Sequence, residues 1–185
     1  MEAYALNEVT ISKLLNVAIG APPAVSAEEL IKAIRPALIT LFLIRLCLRE
    51  SSTGTSLTAK SLAKWDINDN SMERVIEAFR LALNSLPVPE RNGQTPESLL
   101  GRYEEYRKRL SEDTRHFANG HDISLVIVLY LKCHCAHVFN SDARRPFRVP
   151  EVFEVLLMSC IETAEIQKER LFRTLLAWAA RDFTG

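Results

Sequence analysis

The stretch His121–Phe139, HDISLVIVLYLKCHCAHVF, limits the fold of this chain most. Between Asp122 and Asn140 its only formal charge is Lys132. Apolar surface on that scale is driven out of water, so other segments must cover it. The β-branched residues Ile123, Val126, Ile127 and Val128 favour a strand. The apolar character continues through Leu129, Leu131, Cys133, Cys135, Val138 and Phe139. That run is longer than the about four to eight residues that suit a strand. A helix over 123–139 fits its length, with Asp122 or Asn119 accepting a backbone N–H at its start. A helix apolar nearly all round belongs inside a domain. A membrane span needs about 20 apolar residues, and Lys132, His134 and His137 interrupt the end of this one. The expectation is a buried core helix and no membrane span.

The remaining segments read as its cover. Leu6–Ile19 carries apolar residues at spacings of three and four, the pattern of a short amphipathic helix. Gly20 and Pro22-Pro23 end it. Ser26 followed by Glu29 is a capping box, which opens a second helix from Ala27 to about Arg49. Pro36 lies inside that helix and predicts a kink or a break. Arg35, Arg45 and Arg49 mark its expected wet edge. Ser51–Ser56 reads as a loop, Thr58–Trp65 as a short helix, and Asn70–Leu86 as an amphipathic helix. Pro87–Pro96 holds three prolines and an Asn-Gly pair, the strongest linker signal in the chain. It divides the sequence into a subdomain over 1–86 and another over 97–185, or it is a connection within one domain. Pro96–His116 is a charged surface helix with a thin stripe of Leu99, Leu100, Tyr103, Tyr106 and Leu110. Asn140–Pro150 reads as a basic loop, and Glu151–Glu165 and Ile166–Phe183 as two helices or one long one. The fold expected is all-α: a compact bundle of about seven helices around the central apolar helix 123–139.

Composition narrows the function classes. The 185 residues are 48% hydrophobic and 25% charged, as in ordinary globular proteins. Lys plus Arg and Asp plus Glu balance at 23 each, so the whole chain has no long-range pull toward nucleic acid or anionic membrane. Cys47, Cys133, Cys135 and Cys160 sit in apolar segments, where free cysteine behaves as a small hydrophobe. Met1–Gly20 lacks the pattern of a secretory signal. Reduced thiols and an intracellular location, cytoplasmic or nuclear, follow as expectations. The sequence contains no phosphate-binding glycine loop, nucleophile elbow or HExxH. No cofactor and no catalytic residue is assigned.

Three constellations remain. All four histidines, His116, His121, His134 and His137, lie within 22 residues, interleaved with Cys133 and Cys135. Zinc takes about four N, S or O ligands around a tetrahedron. On a helix Cys133 and His137 share a face, and His116 or His121 could return from the preceding loop. This is a weak metal candidate, without CxxC or HxxxH spacing. The second constellation, Ser56–Phe79, resembles a helix-turn-helix over about 22 residues. It departs from that motif at Asp66, which stands in place of the turn glycine, and in an acidic start to the second helix (Asp69, Glu73) where bases and phosphates are contacted. The third is the loop in which Arg144, Arg145 and Arg148 flank Phe147. Arginines around an aromatic can hold an acidic partner protein or single-stranded RNA.

The leading functional expectation is a non-enzymatic helical protein–protein interaction module, an adaptor, assembly or regulatory protein that binds other proteins or itself as a homo-oligomer. Arg144, Arg145, Phe147 and Arg148 are its candidate partner-binding residues. The alternative is nucleic-acid binding through 56–79 or 144–148.

Overall fold

The computed structural model describes residues 6–20, 22–51, 69–110, 120–161 and 173–174. Every regular element among them is helical and none is a strand, so the chain is all-α. The expected helix Thr58–Trp65, with the turn after it, lies outside the described residues, as do His116 and most of the second C-terminal helix.

Local chemistry sets most helix ends. Helix α1 is Glu8–Ile19, and the Asn7 side chain accepts from the Thr10 N–H at 2.9 Å. It closes at Gly20, whose φ of +95° is a conformation that glycine adopts without steric cost. Helix α2 is Ala27–Glu50 and starts with the capping box: Glu29 N–H donates to Ser26 Oγ at 3.2 Å, and Ser26 N–H to Glu29 Oε2 at 2.9 Å. Pro36 does not break it; the helix runs on for 14 residues to Glu50. Burial of Ile34, Ala37, Leu38 and Leu41 on either side of the proline holds the segment helical. Helix α3, Met72–Asn84, starts after Ser71, and α4, Pro96–Arg109, after a Thr95/Ser98 capping box with Pro96 at its first position. The linker between them contains a 3-10 turn, Val88–Arg91, followed by left-handed Asn92.

Helix α5 is Gly120–His134. Two expectations for this stretch are corrected. Asp122 lies inside the first turn rather than at the cap, with Asn119, the other expected cap, outside the described residues, and the Asp122 carboxylate accepts from Arg45 of α2. The helix also stops at Cys135 (φ −118°, ψ 28°), and Ala136–Phe139 forms a separate short helix, α6. The basic loop coils into a 3-10 helix, Asp142–Arg148, and α7 is Pro150–Ser159. Thus α7 ends earlier than expected, with Cys160 as its cap.

Two apolar cores form, and they do not follow chain order. The first joins α1 and the first half of α2 (Leu30, Ile34, Leu38) to α5, α6 and α7 (Ile127, Leu131, Phe139, Phe153). The second joins the rest of α2 (Leu43, Ile44, Cys47) to α3 and α4 (Val75, Phe79, Leu99, Tyr103). Every residue from Asp122 to Val128 is buried, so the opening of α5 is covered on all sides. Helix α2 packs against α1, α3, α4 and α5, and it is the element common to both cores. Each core carries an edge-to-face aromatic pair, Phe139–Phe153 at 6.4 Å and Phe79–Tyr103 at 6.5 Å between centroids.

Candidate functional site

The histidine–cysteine constellation is dispersed. Cys133, His134 and His137 are exposed, while Cys135 is buried. His134 stacks on Tyr130, with centroids 4.4 Å apart. His121 turns toward α7 instead, with Nδ1 3.3 Å from Glu154 Oε2. Among the described residues no three His, Cys, Asp or Glu side chains come together as a metal would require. His116 lies outside them. Burial pushes the Cys135 and Cys160 thiols up.

Of the helix-turn-helix-like segment, only the part from Asp69 onward is described. Asp69 Oδ2 accepts from Arg74 Nε at 2.8 Å, and Asp69 Oδ1 from the Ser71 N–H at 3.1 Å. Hydrogen bonding from the Ser71 side chain, then from Arg74 and the Ser71 N–H, holds the Asp69 carboxyl below its usual range. Helix α3 turns Val75, Ala78, Phe79, Ala82 and Leu83 into the second core. Its outer face alternates Glu73, Arg74, Glu77 and Arg80, with an ion pair between Glu77 and Arg80.

The basic segment is partly turned inward. Arg144 Nη1 donates to the Val17 carbonyl in the last turn of α1, which has no basic residue of its own. A cation there offsets the negative end of the helix. Arg148 Nη2 donates to the Ser141 carbonyl at 3.0 Å, inside its own loop. Phe147 is half-buried against the first core. Arg145 is exposed and makes no ion pair or hydrogen bond among the described residues.

Directly after this segment comes an apolar surface that the sequence reading did not single out. Val149, Val152 and Val155 are 45%, 42% and 71% exposed. Val152 and Val155 lie one turn apart on the outer face of α7, opposite buried Phe153 and Leu157. The signal was present in the sequence. VPEVFEVLLMSC is apolar on too many positions for one buried stripe.

A second surface includes part of α2. A groove of about 360 Å³ opens between α2 and the end of α4. Arg35, Pro36, Ile39 and Thr40 form one wall, and Arg107 and Leu110 another, with Asn70 at the start of α3. Thr40 in that wall is buried, with Oγ1 3.4 Å from Tyr103 OH.

Between the two cores, Arg45 and Asp122 form an ion pair, their side chains 28% and 5% exposed. An arginine inside the apolar run Ala37–Leu48 was the sequence signal for a buried acidic partner. The spacing that places Arg45 on a wet edge describes only its 28% exposed side and not its acidic partner.

No described helix is long and apolar enough to cross a membrane. Comparison with protein-family models, with curated proteins and with solved structures finds no match for the chain.

Proposed function

We propose that the protein is a non-enzymatic helical interaction module, whose partner surface is the outer face of α7 together with the basic 3-10 helix leading into it. The valine stripe carries this reading. Three β-branched apolar side chains, Val149, Val152 and Val155, are exposed, and the 3-10 helix that precedes them carries Arg145, which has no ion pair or hydrogen bond among the described residues. Valine has little side-chain entropy to lose on being covered, so each buried methyl adds to affinity at small cost. An amphipathic helix of another protein, with an acidic residue placed to meet Arg145, is the shape and charge this surface fits.

Nucleic-acid binding has less to draw on. On α3 the arginines alternate with acids, and in the basic segment Arg144 and Arg148 donate to the protein's own carbonyls. A run of phosphates calls for several unpaired cations in line.

The test is a photo-crosslinking residue placed at Val155 in the intact protein, in its native cells. One dominant protein adduct is expected, and Val152→Asp with Arg145→Glu abolishes it while the circular dichroism spectrum stays unchanged. No adduct, or an adduct equally strong in the double variant, would overturn the reading.

A further inference from the structure

Two guanidinium groups that no described carboxylate neutralises face one groove. Arg35 and Arg107 both line it, and neither has an ion pair or hydrogen bond among the described residues. Among the described residues no acidic side chain lines it. Asp69, next to lining residue Asn70, spends its carboxylate on Arg74 and the Ser71 N–H. Lys108 and Arg109 accompany Arg107 in the last turn of α4, which offsets the negative end of that helix. The rest of the described lining is apolar at Pro36, Ile39 and Leu110 and polar at Thr40 and Asn70.

Pro36 contributes to the shape as well. It has no N–H to donate to the carbonyl of Lys32, and its ring lines the groove. The volume of about 360 Å³ is at the small end of ligand pockets. It suits a head group and a few carbons, not a polymer.

We propose that this groove binds a small amphiphilic anion. Its carboxylate or phosphate head is held by Arg35 and Arg107, and its short apolar body lies on Ile39 and Leu110. Guanidinium forks match both head groups, because each offers paired oxygens to parallel N–H donors. This site is separate from the α7 surface, so either can fail without the other.

Isothermal titration calorimetry of the full chain tests it with octanoate, octyl phosphate, octylammonium and inorganic phosphate. Octanoate or octyl phosphate should saturate a single site, and the tighter of the two identifies the head group. Octylammonium should not bind. Arg35→Ala and Arg107→Ala should each weaken the anion by about tenfold, while Lys108→Ala, outside the groove, leaves it unchanged. Both arginines are exposed, so neither substitution removes core packing. The proposal is overturned if octylammonium binds as tightly as the anions, if the arginine variants keep full affinity, or if neither anion saturates. Inorganic phosphate binding as tightly as octyl phosphate would overturn the apolar half of the site.

Discussion

Asp122 and Arg45 show how a charge is kept inside an apolar helix pair. Asp122 is 5% exposed, and the Arg45 guanidinium meets its carboxylate across the α2–α5 contact. Such a pair contributes little net stability, yet removing one member leaves a buried charge. Arg45→Met should therefore cost about 3 kcal/mol, whereas Arg45→Met with Asp122→Leu should recover most of it. Urea denaturation of the two variants checks this, and a double variant as unstable as the single would count against it. Cys47 makes a pH-dependent counterpart. Burial pushes its thiol up to about 11, and the Glu50 carboxylate adds to the effect. The unfolded chain releases that proton near the ordinary value of 9.0, before the folded chain does. The stability is thus fully present below pH 9 and declines as pH rises toward 11. Cys47→Ala, compared with the parent at about pH 8 and about pH 10.5, should show a shallower decline across that window.

Helix boundaries were legible wherever their chemistry is local. Ser26 and Glu29 announce the start of α2, Gly20 the end of α1 and Pro96 the start of α4, because each acts on backbone groups within one turn. The break at Cys135 had no such marker. No glycine or proline stands near it, and the hydrogen bonds around it persist: Cys135 N–H to Leu131 O at 3.0 Å and Phe139 N–H to Cys135 O at 2.8 Å. The change is forced by packing, with both Cys135 and Phe139 drawn into the first core. The same limit hid the role of Arg144, which meets its carbonyl partner 127 residues away. The Arg35–Arg107 groove was equally out of reach, since it exists only once α2 and α4 pack. Composition pointed to the class of fold. It could not say which arginines would be spent on carbonyls and which would stay available to a ligand.

At the scale of the molecule, α2 makes one cooperative unit of two cores. Ile34 packs in the first and Phe79 in the second, while α2 supplies side chains to both. Ile34→Ala and Phe79→Ala should each cost about 3–4 kcal/mol. Because the cores share a helix, either substitution should move one common transition. Far-UV circular dichroism and tryptophan fluorescence should give the same midpoint in each variant. Two separated transitions would show that α2 does not couple them.

The order of the cores along the chain also bears on synthesis. Among the described residues the buried side chains of the second core run no further along the chain than Tyr103, whereas those of the first run out to Cys160. The apolar faces of α1 and of the first half of α2 are therefore made roughly 120 residues before their cover. At about 5–20 residues per second, the nascent chain carries them uncovered for on the order of ten seconds. During that interval a holding chaperone, or a neighbouring nascent chain, competes with α5 and α7 for the same side chains.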